Sequence, residues 1–282
     1  MKLNIQNYHD YLEFLKAWTE YLKEQKKDFS LRKVAKEAGI ASGYLSMCFN
    51  RKRKMSKTVY DKIKPLLHLS NKEIRILDLL RVISESEIPK ERVDALSDLQ
   101  KLSDYKASHN SELEVHQYLS HWYYVAIREL VNLPDFKIDS AWIQSRLFGR
   151  ISQKEVLQGT QFLLNYGFIL KTPSGKFEVA KKQLSCHEGV YKISLGEFHR
   201  QMLDIAKKSI DDTSRDERLL LGHTVALSVV QYDKIQNILR EAIEKIESLD
   251  TTSGSESEVY QIQVAAFPLT KKPAPGNDQA GD

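Results

Sequence analysis

The stretch from Ser30 to Lys54, SLRKVAKEAGIASGYLSMCFNRKRK, carries the most informative pattern in the chain. It divides into two short apolar-periodic segments joined by AGI, and this periodicity indicates two helices. The hydroxyl of Ser30 can cap the first helix, because it can accept hydrogen bonds from free backbone N–H groups. Gly39 can end that helix, since glycine readily adopts the left-handed backbone conformation. The pattern predicts a helix-turn-helix motif in which Leu45 and Cys48 face inward.

Eleven residues of this stretch are predicted to bind double-stranded DNA, with the second helix in the major groove. The predicted base-reading positions are Ser42, Gly43, Ser46, Met47 and Asn50, and the predicted phosphate contacts are Arg32, Lys33, Arg51, Lys52, Arg53 and Lys54. An alternative is a helix-turn-helix that no longer binds DNA and docks another protein. The small side chains of Ala41 and Gly43 favour that alternative.

The charge distribution supports the DNA-binding interpretation. The net charge of the 282 residues is +4, but residues 1–80 hold 17 Lys and Arg against 9 Asp and Glu. This head therefore carries +8, and the remaining 202 residues carry −4. A local positive field of this kind is typical of a domain that binds a polyanion.

Composition excludes several classes of protein. A hydrophobic content of 41% and a charged content of 28% rule out a collagen-like or wholly disordered chain. Two cysteines, Cys48 and Cys186, are too few for a disulfide framework. No apolar run reaches the length of a membrane span, and the N-terminus lacks the apolar region of a signal peptide. We expect a cytoplasmic protein without a membrane partner.

The predicted fold is mainly α, with a C-terminal α+β or α/β part in which helices cover a small sheet. The predicted domains are a helix-turn-helix head (1–85), a helical linker (86–111), a winged-helix-like domain (112–182), a small α/β domain for dimerisation or effector binding (183–270) and a disordered tail (271–282).

The winged-helix-like domain is predicted from a capped helix followed by a hairpin. Ser152 and Glu155 have the spacing of a capping box, and Gly167 ends the helix. Strands are predicted on both sides of the turn at 172–175. Its basic residues, which offer a second DNA contact, are Arg146, Arg150, Lys154, Lys171 and Lys176. A purely structural or dimerisation role is the alternative.

Strands at 189–195, 223–230 and 258–269 are predicted to alternate with helices at 197–210 and 232–249 in the C-terminal part. Arg218 and Thr224 are candidate residues for binding an anionic effector. The alternative for Arg218 is that it satisfies buried carbonyl groups or pairs with Glu217.

Two resemblances extend this interpretation. Residues 28–70 resemble the Cro-like helix-turn-helix of phage and bacterial repressors, which implies major-groove binding by the helix at 42–50. Residues 8–270 resemble a family of conserved hypothetical bacterial proteins described as transcriptional regulators, whose C-terminal part is a domain of unknown function. The shared features are YHDYL (8–12), LSNKE (69–73), WY (122–123), IREL (127–130), GFI (167–169), FHRQM (198–202), Arg218, Thr224, VYQ (259–261) and FPLT (267–270). The resemblance implies the architecture and assigns no catalytic residue.

Enzymatic activity has little support in the sequence. His116 and His121 are five residues apart, which does not place them on one helix face as in a helical zinc pair. No nucleotide-binding loop or nucleophile elbow is present. We therefore predict a non-enzymatic transcriptional regulator without a cofactor or metal, which binds DNA as a homodimer and responds to an unknown small-molecule or protein effector.

Overall fold

The computed structural model describes residues 3–26, 28–180, 187–249 and 257–271, which form a mainly helical molecule with one two-stranded antiparallel sheet. The α-helices are α1 (Tyr11–Gln25), α2 (Leu31–Glu37), α3 (Tyr44–Phe49), α4 (Lys57–Ile63), α5 (Asn71–Glu85), α6 (Pro89–Gln100), α7 (Ser103–Ser108), α8 (Asn110–Ser120), α9 (Trp122–Leu130), α10 (Ser140–Arg146), α11 (Gln153–Asn165), α12 (Glu188–Asp212) and α13 (Val229–Glu247). The strands are β1 (Ile169–Lys171) and β2 (Phe177–Val179), and 3-10 helices cover Ile5–Asn7 and Lys64–Leu67.

The N-terminal helices share one hydrophobic core. Its buried members include Phe14 and Leu15 of α1, and the Trp18 indole N–H donates a hydrogen bond to the Leu67 carbonyl at 2.9 Å. Helix α1 begins at Tyr11, because the Asp10 side chain accepts hydrogen bonds from the backbone of the first turn. The region predicted as a linker contributes Leu96, Leu99 and Tyr105 to the same core.

A second core lies between α8, α9, α10, α11 and the hairpin. The predicted capping box of Ser152 and Glu155 is confirmed at the start of α11. Gly167 has a φ of +68° after α11, and β1 and β2 then pair with Ile169 opposite Val179. The extended backbone of His121 separates α8 from α9.

Helix α12 packs against both cores. Val190 belongs to the first core, whereas Phe198 and Met202 belong to the second. Together with Ser194 these residues form the buried face of the helix, at a spacing of four residues. The strand predicted at 189–195 is therefore wrong, because its side chains follow the helical period.

The predicted C-terminal sheet is absent from the described residues, whose strands are β1 and β2 alone. Residues 219–227 and 257–268 form neither helix nor strand, so the predicted α/β layer is not formed within one chain. The predicted domain boundary at 182–183, the loop at 253–255 and the tail beyond Lys271 lie outside the described residues. None of the described helices is long and apolar enough to cross a bilayer.

Gly159 provides a test of the packing between α9 and α11. A β-carbon at this position would lie 3.0 Å from two ring carbons of Tyr124 and 3.1 Å from Cδ1 of Ile127. We expect Gly159→Ala to lower the free energy of unfolding by about 1–3 kcal/mol, because the new methyl group overpacks the interface. Denaturant unfolding measures the change.

The matched control is Gly196→Ala in α12, where the nearest atom to a new β-carbon is Nη1 of Arg200 at 3.8 Å. Alanine favours a helix over glycine by up to about 1 kcal/mol, so this variant should unfold no more easily than the parent chain. Equal effects of the two substitutions would contradict the close approach of α9 to Gly159.

Candidate nucleic-acid interface

Helix α2 begins and ends where the local sequence predicts, whereas α3 begins at Tyr44, two residues after the predicted start at Ser42. The Ser30 hydroxyl accepts a hydrogen bond from the backbone N–H of Lys33 at 3.1 Å. Gly39 has a φ of +64°, and the backbone N–H of Ile40 returns to the carbonyl of Ala35 at 2.9 Å. This arrangement is a left-handed helix end of the kind that glycine favours.

Of the residues that the sequence assigns to DNA, Ser46 and Met47 lie on α3 itself, and the others lie on α2 or in the segments on either side of α3. Leu45 and Cys48 are fully buried, and burial raises the pKa of the Cys48 thiol. All eleven predicted DNA contacts are exposed. The stretch therefore separates an apolar inner face from a polar and basic outer face, as the three-residue spacing predicts.

Tyr44 holds the basic turn after α3 in place. Its hydroxyl donates a hydrogen bond to the Lys54 carbonyl at 3.1 Å and accepts one from the Ser56 backbone N–H at 3.3 Å. The guanidinium of Arg53 lies over the Tyr44 ring, 4.9 Å from its centroid. The turn is thus anchored to α3, so its cations occupy defined positions next to that helix.

Arg51 differs from the other predicted phosphate contacts. Its φ is +56°, and it ends α3 because the N–H of Lys52 bonds to the Met47 carbonyl at 2.9 Å. Its guanidinium also pairs with Asp10 at 3.2 Å and Glu13 at 3.5 Å. Sequence reasoning missed these partners, because 38 or more residues separate them from Arg51 along the chain.

The basic residues of the hairpin region divide into two groups. Arg146 pairs with Glu258 at 3.6 Å and donates to the Ser257 carbonyl at 2.5 Å, and Arg150 pairs with Asp212 at 3.6 Å. The side chains of Lys154, Lys171 and Lys176 are exposed instead. Two of the five cations are therefore engaged by the C-terminal part of the same chain.

The predicted effector residues, Arg218 and Thr224, line neither of the two cavities described below. Arg218 donates hydrogen bonds to the carbonyls of Ser209 and Ile210 near the end of α12, whereas Thr224 is exposed. Arg218 thus contacts backbone carbonyl groups, one of the two roles given as its alternative, and it shares the Ser209 carbonyl with the backbone N–H of Thr213.

A cavity of about 340 Å³ lies where the turn after α3 approaches α6 and α12. Arg51, Arg92 and Arg200 line it from these three elements, together with Asp10. Arg51 and Arg200 are ion-paired, with Asp10 and with Glu197 respectively, whereas Arg92 has no ion pair within the described residues. The sequence does not indicate this cavity, because its walls come from three distant segments.

A second cavity, of about 410 Å³, lies beside the buried side chain of His116. Nδ1 of His116 lies 2.9 Å from the Ser194 hydroxyl of α12. Burial lowers the pKa of His116 to about 4, and the nearby His121 acts in the same direction. Among the described residues no group of three or more His, Cys, Asp or Glu is placed to hold a metal ion.

A comparison with protein-family models matches residues 100–269 to a domain of unknown function, DUF4423. The chain belongs to the DUF4423 family. The DUF4423 region begins at the end of α6 and includes the hairpin and α12, whereas α2, α3 and the basic turn precede it. Comparisons with curated proteins and with solved structures found no match.

The environment of Arg51 predicts the effect of reversing its charge. Arg51→Glu would place a third carboxylate beside Asp10 and Glu13, and would remove both ion pairs. We expect this change to lower the free energy of unfolding by about 1 kcal/mol, the scale of exposed ion pairs. Lys52→Glu is the control, since it has no ion pair within the described residues, and it should stay within about 0.5 kcal/mol of the parent. Denaturant unfolding of both variants measures the difference. Coinciding unfolding curves would contradict the ion pairs of Arg51.

The buried His116 predicts a loss of stability in mild acid. An ordinary histidine has a pKa of 6.5, so the unfolded chain takes up a proton below that pH, whereas folded His116 stays neutral down to about pH 4. Folding stability should therefore fall as the pH decreases from 7 to 5, by about 2 kcal/mol from this residue alone.

Denaturant unfolding of His116→Gln at both pH values measures this contribution, because glutamine does not titrate. The decrease between pH 7 and pH 5 should become about 2 kcal/mol smaller than in the parent chain. His199→Gln, at an exposed position of α12, should leave the decrease unchanged. An unchanged decrease in His116→Gln would show that this histidine is not held neutral.

Proposed function

We propose that the protein is a DNA-binding transcriptional regulator whose α2–α3 pair is a helix-turn-helix. The observation that carries the proposal is the exposed, basic outer face of α3 and its following turn. In this proposal α3 enters the major groove, where Ser42, Ser46 and Asn50 meet base edges. The turn that Tyr44 anchors lies against the phosphate backbone.

The charges outside the ion pairs define the electrostatic part of the interface. Lys33 and Lys52 are exposed and have no ion pair within the described residues, in contrast to Arg51. They are therefore available to neutralise phosphates without first breaking a contact. Binding of this kind releases counterions and weakens as salt increases.

The hairpin region is the proposed second contact. Helices α10 and α11 followed by β1 and β2 have the order of a winged helix, and the exposed Lys171 and Lys176 lie on the hairpin. Because Arg146 and Arg150 pair with acidic residues, we assign the contact to the lysines.

An effector belongs to the same proposal. The cavity of about 340 Å³ suits an anionic small molecule better than Arg218 and Thr224 do, because guanidinium groups from three elements converge there. Arg51 borders both this cavity and the proposed DNA surface. An anion bound in the cavity would therefore compete with Asp10 for the guanidinium group of Arg51.

The second candidate function is a protein-docking module without DNA binding and without enzymatic activity. The small residues at the start of α3 and the exposed Met47 favour it, since they offer few hydrogen bonds to base edges. Measurement of DNA binding separates the two functions.

The test is selection of the purified chain on a pool of random 30-base-pair duplexes at two salt concentrations, followed by sequencing. We expect an enriched motif with half-sites about one helical turn apart, as for two heads related by a two-fold axis. Lys33→Glu combined with Lys52→Glu should abolish the enrichment and reduce the log–log salt slope of the two-headed complex by about 3.6, or about 0.9 for each of the four lost phosphate contacts.

The matched control is Lys207→Glu combined with Lys208→Glu, which changes the net charge equally at exposed positions of α12. It should retain the motif and the salt slope apart from a small general weakening. Equal loss in both double variants would indicate a nonspecific charge effect, and absence of binding at low salt would favour the docking function.

A further inference from the structure

The C-terminal arm, defined as residues 213–249 and 257–271, exposes an unusual amount of apolar surface. Fifteen of the 24 exposed large apolar side chains in the described residues belong to it. The most accessible are Leu219, Leu221, Val229, Val230, Leu249, Tyr260, Phe267 and Leu269, each between 64% and 85% exposed. A monomeric protein rarely exposes an apolar surface of this extent, which marks an interaction site.

Helix α13 has an apolar stripe but no buried residue. Tyr232, Ile235, Leu239 and Ile243 recur at three- and four-residue spacing and are only half-buried, and the neighbouring Ile238 is exposed. A helix in water obtains most of its stability from packing such a face against another element. The stripe is therefore only partly covered: the Tyr232 hydroxyl donates a hydrogen bond to the Ala266 carbonyl at 3.0 Å, but none of the 19 residues is buried.

The two stretches on either side of α13 have strand-forming sequences but no strand partner. Among the described residues, no backbone–backbone hydrogen bond involves 219–227 or 257–269. In the second stretch Val259 and Gln263 face the body of the protein, whereas the apolar Tyr260, Ile262 and Val264 face outward. The more apolar side of this stretch is thus the uncovered one.

Charge indicates what kind of partner fits. Residues 213–249 contain five basic and six acidic side chains, and residues 257–269 contain one charged residue, Glu258. A nearly neutral apolar surface does not select a strongly charged partner, and two copies of it can meet without repulsion.

The area also fits a second copy. The exposed apolar side chains of the arm amount to surface on the order of 500–1,000 Å², at about 60–120 Å² for each fully exposed chain. A stable interface buries about 800 Å² per partner. In a two-fold dimer both copies use the same surface. Each arm can therefore cover the apolar stripe of the other arm and form hydrogen bonds with its unpaired backbone groups.

We propose that two copies of this chain form a homodimer through their C-terminal arms. The stretches 219–227 and 257–269 of one copy pair with the arm of the other, and the α13 stripe packs beneath them. Arg146 anchors the base of the arm to its own chain through Ser257 and Glu258. The proposal concerns assembly alone, so it stands or fails independently of DNA binding.

The experiment is sedimentation equilibrium of the full chain over a range of concentrations, with amide hydrogen exchange on the same samples. The parent chain should have twice the mass of one chain, with protected amides in 257–269. Ile262→Asp places a charge on the outward face of that stretch and occurs twice in the dimer. If each copy of the substitution weakens dimerisation tenfold, the dissociation constant of the dimer rises about 100-fold. The amides of 257–269 should then lose their protection from exchange.

Two further variants complete the design. Ile238→Asp on α13 should also dissociate the dimer, whereas Leu157→Asp, an equally exposed apolar position on α11, should not. Circular dichroism confirms that each variant is folded. A monomeric parent chain would overturn the proposal, and protected arm amides in that monomer would show that the arm folds onto its own chain. A dimer that neither arm variant dissociates would overturn it as well.

Discussion

The packing of α12 across both hydrophobic cores is the constraint on which the rest of the structure depends. Val190 lies in the first core, Phe198 lies in the second, and Ser194 lies between them against His116. The Ser194 hydroxyl also donates to the Val190 carbonyl at 2.8 Å, so the buried polar atoms at this junction are hydrogen bonded. Loss of that match would weaken the joint between the head and the hairpin region, which α12 shares with α8, since Leu113 lies in the first core and Tyr118 in the second.

The basic surface of the head is shaped by contacts as much as by charge. Tyr44 holds the turn after α3, and the α1 carboxylates of Asp10 and Glu13 neutralise Arg51. A sequence that contains four consecutive cations therefore presents them unequally. The exposed Lys33 and Lys52 carry the electrostatic part of the proposed interface. Arg51 lies between that surface and the cavity beside α12, which it also lines.

The C-terminal arm shows why the predicted sheet is absent from the described residues. Alternation of apolar and polar side chains at 258–264 is a strand pattern, but a strand needs a neighbour to accept its backbone hydrogen bonds. No neighbour is present within the described residues, and the outward direction of Tyr260 and Ile262 leaves their side chains in water. The alternating pattern thus indicates that a segment favours a strand, but it does not identify the neighbour with which that strand pairs.

The sequence by itself determined the features that depend on neighbouring residues. Ser30 and Ser152 cap their helices, Gly39 and Gly167 end them, and the hairpin after α11 follows its turn residues, because each depends on contacts within a few positions. Only the tertiary structure decided the helical state of 189–195, the contact of His116 with Ser194 and the pairing of Arg51 with Asp10. The two contacts join residues about 40 to 80 positions apart. Local propensity contains no information about which distant surfaces meet.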